Sequence, residues 1–214
     1  MTIEPRGLTW PSRHELLTIH AVRLAGFADT QGVADRVDLS LNIVRDTLRS
    51  LERQNSIERM TFADSGGWIL TEAGKRRDAE LLREEREAFG VRPVLQSAVE
   101  HFETVNPVLV RVVTDWQLDS SSGRADRDVE VLRELTNVRD ALTDLMAELI
   151  GRLPRFSRYP RQFSAALDRA HAGDARWVAG VGRLSCHIVW AELHEDLLSS
   201  SGRDRSAEPR QGGL

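Results

Sequence analysis

The segment LSLNIVRDTLRSLERQNSIERMTFADSGGWILTEAGKRRDAELL, Leu39 to Leu82, changes its apolar period twice. Ser40 is a side chain that can accept from the first free backbone N–H groups of a helix, so it is read as a cap. Leu41, Val44, Leu48 and Leu51 then recur every three to four residues, which predicts a helix to about Gln54 with those four facing inward. Asn55 tolerates the left-handed conformation that ends helices. Ile57 to Phe62 reads as a short strand, Ala63 to Gly67 as a turn, and Trp68 to Thr71 as the returning strand. From Thr71-Glu72 the helical period returns and runs to about Phe89.

Upstream, Ser12-Arg13-His14-Glu15 has the form of a capping box, with Leu16, Leu17, His20, Leu24 and Phe27 marking a first helix. A short second helix fits Thr30 to Val37, and Asp38-Leu39 turns the chain. Helix, helix, helix, hairpin, helix within some 80 residues is the order of a winged helix-turn-helix. In such a module the second helix of the turn motif enters the DNA major groove, where base edges differ. The helix at 40–54 has side chains suited to that use. Ser40 stands at its start, and Asn42, Arg45, Asp46, Arg49 and Arg53 point away from the apolar face. Arginine can pair bidentately with guanine and asparagine with adenine. Arg59 lies on the first strand, and Ser65 and Gly66 lie at the hairpin tip.

Two strings, LSLNIVRDTLRSLERQNSIER (Leu39–Arg59) and GGWILTEAGKRRDAELL (Gly66–Leu82), resemble the winged-helix domain of MarR-type bacterial transcriptional regulators. The resemblance covers about residues 12 to 90. Its more specific part is Leu-Thr-x-x-Gly directly after a wing strand. Asn55-Ser56 stands where that family usually has glycine, and asparagine adopts the same backbone conformation. The resemblance implies a dimeric DNA-binding protein reading a pseudo-palindromic operator.

From Val91 onward every segment reads as helix. Pro93 starts one, Asn106-Pro107 is expected to break and restart it, and Asp119 to Gly123 is expected to be a flexible loop. A long helix follows from Asp126 to about Leu153, with Val131, Leu135, Val138, Leu142, Leu145 and Leu149 as a heptad seam. Such a seam flanked by other amphipathic helices is more often a bundle core than a two-stranded coiled coil. Pro160 opens a short helix, and Asp174 is read as the cap of a last helix ending near Ser200. The chain is thus divided into an N-terminal arm (1–11), a winged helix-turn-helix domain (12–90), an all-α helical domain for dimerisation (91–200) and a disordered tail (201–214). The overall class is mainly α. The helical half is similar, through Thr114–Gln117 and Glu192–Leu198, to a group of actinobacterial proteins described as regulators, which implies architecture only.

If one helix spans 174–200, Trp177, Val181, Leu184, Ile188 and Ala191 face inward with Glu195 among them. His187, Trp190 and His194 form an adjacent stripe. Titratable groups on or beside an apolar face require partners. One reading is a small-molecule effector pocket with Trp116, Trp177 and Trp190 as walls and Asp115, His187, His194 and Glu195 as polar anchors. The other is a dimer interface or half-exposed helix with Glu195 paired to an arginine. His187 and His194 lie two turns apart, about 10.5 Å of rise, too far to share a metal, and no cofactor is expected.

The 214 residues carry 29 basic and 33 acidic side chains, net −4, and Lys75 is the lone lysine. That balance excludes coating of nucleic acid by bulk charge. Residues 1–77 hold 11 basic and 10 acidic groups, net +1, while 93–214 hold 15 and 18, net −3. A DNA contact must therefore rest on local arginines, with Asp46 and Glu52 opposing phosphates. Cys186 is the sole cysteine, which excludes an internal disulfide and a cysteine-based zinc site. It is read as a buried small residue. No signal peptide or membrane-length apolar run is seen, so a cytoplasmic protein without membrane association is expected. Enzyme motifs find no match; His194-Glu195 begins like H-E-x-x-H, but Leu198 stands in the second histidine position. The expected function is a dimeric regulator binding double-stranded DNA. The alternatives are a winged-helix adaptor that binds protein only, and an enzyme built on the last helix.

Overall fold

The computed structural model describes residues 10–62, 65–119 and 125–203. Of the expected turn at Ala63–Gly67, loop at Asp119–Gly123, tail at 201–214 and arm at 1–11, residues 63–64, 120–123, 204–214 and 1–9 lie outside them; of the rest, Ser65–Gly67 are corrected to strand, and Trp10-Pro11, Asp119 and Ser201 to helix. Of the described residues 78% are helical, and they hold one small antiparallel sheet. The order is α1 (Trp10–Ala25), α2 (Thr30–Ala34), α3 (Leu41–Arg53), β1 (Ile57–Phe62), β2 (Ser65–Leu70) and α4 (Glu72–Phe89). There follow α5 (Arg92–Asp119), α6 (Ala125–Arg152), a 3-10 turn at Pro154–Ser157, α7 (Arg158–His171), α8 (Arg176–Ala179) and α9 (Cys186–Ser201). No helix among the described residues is long and apolar enough to cross a membrane.

Two compact units result. One runs to Pro93 and takes in the chain again from Leu198; the other is Val94–Leu197. In the first, Leu16, Ile19, Val22, Val33, Val44, Leu48, Leu51, Ile57, Trp68, Leu81 and Leu82 form a shared core. The hairpin registers Ile57 against Leu70, Arg59 against Trp68 and Phe62 against Ser65. It is fastened at mid-strand and at its base. Ala28 bridges Trp68 backbone to backbone, and Trp68 Nε1 donates to Thr30 Oγ1 (3.2 Å). At the base Thr71 Oγ1 donates to Asn55 O (2.6 Å) and accepts from Gly74 N (3.0 Å), capping α4. Asn55 has φ of 55°, the left-handed state its sequence context predicts.

Polar ties join α1 to α4. Arg77 holds Glu15 with two hydrogen bonds (2.7 and 3.0 Å). Buried His20 Nδ1 lies 3.0 Å from Asp78 Oδ1, with Arg23 Nη1 3.5 Å from Asp78 Oδ2. The capping box expected at Ser12 is corrected: α1 begins at Trp10, with Pro11 in its first turn, where a missing N–H costs nothing. Ser12 is therefore inside the helix, and Glu15 serves Arg77.

In the second unit the expected break at Asn106-Pro107 is absent, and α5 continues through Pro107. Proline inside a helix costs about 3 kcal/mol. Leu95, Ala98, Val99, Phe102, Leu109, Val112 and Val113 are all buried, and they stay in helical phase across the proline. Burying that single stripe outweighs the lost hydrogen bond. The α6 seam follows Val131, Leu135, Val138 and Leu142 as expected, then passes to Met146 in place of the half-buried Leu145 before Leu149 and Leu153. The α6 stripe packs against α7 and the 3-10 turn.

The single last helix is also corrected. α8 ends at Ala179, and a six-residue turn precedes α9. A side chain at Gly180 would sit 2.3 Å from the Arg176 carbonyl oxygen, and Gly182 has φ of +75°. Both positions demand glycine, and together they reset the helical phase.

Candidate nucleic-acid interface

The sequence of α3 separates its faces sharply. Val44, Leu48 and Leu51 are buried against α1 and α2, while Asn42, Arg45, Asp46, Arg49 and Arg53 are exposed. Leu41, expected inward, is 37% exposed, because it lies a full turn outside the packed part of the helix. Ser40 accepts from Ile43 N at 3.4 Å, so its side chain closes the helix start. At ~100° per residue, Asp46 and Arg53 lie within about 30° of the direction opposite the core, flanked by Asn42 and Arg49; Arg45 lies to the side.

These side chains are already ordered by one another. Arg45 Nη1 donates to Asn42 Oδ1 at 3.1 Å, and Arg49 Nη1 donates to Asp46 Oδ1 at 3.4 Å. On the hairpin, the Arg59 guanidinium lies 5.1 Å from the Trp68 ring centroid. That contact gives a cation a preferred position without neutralising it. Ser65 and Gly66 are exposed at the far end of β2. All nine candidates thus belong to one unit, on α3, its cap and the hairpin.

Sequence reading did not assemble a groove beside this face. His14 and Glu15 of α1 and Ile43, Asp46, Thr47, Ser50, Leu51 and Gln54 of α3 line an open cleft of about 530 Å³. Its α3 members recur at three- and four-residue spacing next to the basic stripe. Nothing in the sequence told which flank of α3 would face α1.

The helical candidates fare differently. Trp190 is buried, stacked on Phe102 with centroids 4.6 Å apart, and its Nε1 donates to Asn106 Oδ1 at 2.9 Å. His194 stacks on the same Phe102 ring at 4.9 Å. Trp177 instead contacts Arg169 and Arg183, whose guanidinium carbons stand 4.0 and 5.4 Å from its ring centroid. Asp115 lies 3.9 Å from Arg111, and Trp116 is half-buried on the same helix. His187 is half-buried, and that burial holds its imidazole below its ordinary range. Trp190 and His194 are thus brought together on one ring, while the contacts of Trp177 and Asp115 are with arginines.

The phase of α9 places Glu195 half-exposed and turns Glu192 and Asp196 inward, with Val189, Leu193 and Leu197. The buried carboxylates meet a basic cluster that sequence reading missed. Arg155 Nη1 donates to Asp196 Oδ1 (2.7 Å), and Tyr159 OH donates to Asp196 Oδ2 (2.6 Å). Arg158 stands 3.6 Å from Glu192 and 3.9 Å from Asp196, and hydrogen-bonds Tyr159. Burial drives the Tyr159 hydroxyl well above its usual range. Two guanidinium groups and two carboxylates balance in charge, which suits a structural lock between α7 and α9. Among the described residues no cluster of three or more His, Cys, Asp or Glu could hold a metal ion. Compared with protein-family models, curated proteins and solved structures, the chain matches none of them.

Proposed function

We propose that this chain is a cytoplasmic, homodimeric transcriptional regulator that binds double-stranded DNA through a winged helix-turn-helix. In this reading α2 and α3 are the turn motif, α3 enters the major groove, and the hairpin with Arg59 is the wing. The observation that carries the reading is the two-faced α3. Its apolar side is sunk in the core, while Asn42, Asp46, Arg49 and Arg53 face away from it and Arg45 is exposed to the side. Arg49 and Asn42 would meet base edges, Arg53 and Arg45 bases or flanking phosphates, and Arg59 the adjacent backbone.

Dimerisation through the helical unit is part of the proposal, because one module buries little DNA surface. An effector role for Trp190 or His194 would require opening their stack on Phe102. One observation favours a protein-binding adaptor instead: Asp46 and Glu52 put two carboxylates on the exposed side of α3.

Capture of duplexes from fragmented genomic DNA, followed by footprinting, separates the two. A regulator protects half-sites about one helical turn apart, and Arg45→Ala/Arg49→Ala abolishes the footprint. Recovery of no enriched duplex overturns the regulator reading in favour of the adaptor.

A further inference from the structure

Asp46 occupies the centre of the α3 face that DNA would meet, an unfavourable place for a carboxylate on a surface that merely grips phosphates. It is 75% exposed, and its partner Arg49 is 65% exposed, so their 3.4 Å pair contributes little to stability. Aspartate is also a poor residue for a helix interior. Asp46 lies outside the core, and its pair with Arg49 holds the two side chains together on the outward face.

In the major groove a carboxylate can bind only a donor. Guanine offers acceptors alone and thymine a carbonyl and a methyl; adenine sets its N7 acceptor beside its N6 donor, against a carboxylate's second oxygen, which leaves cytosine N4 as the amino group that acidic side chains read. Arg49, three residues on, is displaced along α3 by about 4.5 Å, against about 3.4 Å between successive base pairs. Its guanidinium can therefore reach the neighbouring pair and take guanine O6 and N7 bidentately. Its bond to Asp46 already limits where that fork can point.

Resting on the regulator reading above, we infer that Asp46 is a specificity-determining residue. It selects half-sites in which a cytosine amino group lies beside a guanine read by Arg49. Where that cytosine is replaced by thymine, the carboxylate faces an acceptor and is repelled. Asp46 thus works by rejecting wrong sequences as much as by binding the right one.

The test is selection of duplexes from a randomised pool by the full-length protein. Wild type, Asp46→Ala and Asp46→Asn are then titrated against the selected duplex and each of its single-base-pair variants. Wild type is expected to discriminate about tenfold or more against loss of one C·G pair. Asp46→Ala should lose that discrimination, and to a lesser extent the guanine preference at the pair read by Arg49, while binding unrelated duplex several-fold more tightly, since a charge opposing phosphates is gone. Asp46→Asn should move the preference at that pair toward adenine. Asp46 is exposed, so circular dichroism should show all variants folded alike. Discrimination unchanged in Asp46→Ala overturns the inference and leaves the regulator reading standing. Failure of wild type to select any duplex overturns both.

Discussion

Replacing Asp196 by asparagine keeps the shape of the side chain and removes its charge from between Arg155 and Arg158. Asp196 is 1% exposed, and the two arginines are 9% and 6–8% exposed, so water cannot take over. Removing one partner of a buried ion pair costs about 3–5 kcal/mol, because the remaining charge stays desolvated. Whole-domain stabilities are about 5–15 kcal/mol, so this is a large share. With a urea dependence of about 2 kcal/mol per molar, the midpoint should fall by roughly 2 M. Tryptophan fluorescence reports on this unit through Trp116, Trp177 and Trp190. The double variant Arg155→Met/Asp196→Leu removes one charge of each sign and leaves Arg158 beside Glu192, so it should recover most of the loss. A loss under about 1 kcal/mol in Asp196→Asn, or no recovery in the double variant, would refute the buried lock.

Three further outcomes follow from local geometry. Gly74→Ala sets a methyl 1.8 Å from the Ser56 carbonyl oxygen, forcing α4 off the end of the hairpin; thermal unfolding should show a loss near the top of the overpacking range, about 3 kcal/mol. The Cys186 thiol is fully buried and pushed up to about 12 by that burial, so a thiol reagent should label it only at the rate of unfolding. His187 titrates below its ordinary value of 6.5 when folded, so the unfolded chain binds more protons as acidity rises. Stability should therefore fall as pH drops through about 6.5, and His187→Gln should flatten that part of the urea-midpoint profile.

The N-terminal elements were readable because their signals are local. Ser40, Asn55 and Thr71 each sit at the boundary they were read to mark, and β1 spans Ile57–Phe62 as its pattern predicts. Pro107 and the Gly180–Gly182 turn misled for opposite reasons. At Pro107 a local breaker was overruled by an apolar stripe that stays in phase on both sides. At Gly180 and Gly182 local breakers did act, and the phase carried across them put Glu195 inside in place of Glu192 and Asp196. The Arg155–Arg158–Tyr159–Asp196 cluster joins residues up to 41 positions apart. Its arginines look like any solvated charge until α7 and α9 pack, so no periodicity could reveal them. The face of α3 was legible because one helix contains it, whereas the groove beside it depends on where α1 lies.

The central proposal is that α3 binds DNA through its arginines. Equilibrium titration of the full-length protein against its own upstream DNA, at several salt concentrations, tests it most directly. Specific binding should weaken linearly on a log–log salt plot. Replacing one phosphate-contacting arginine, Arg53→Ala or Arg59→Ala, should reduce the slope by about one, while Arg49→Ala should chiefly relax sequence preference. An affinity equal for upstream and unrelated DNA, with a salt slope the same in wild type and in all three variants, would contradict the account.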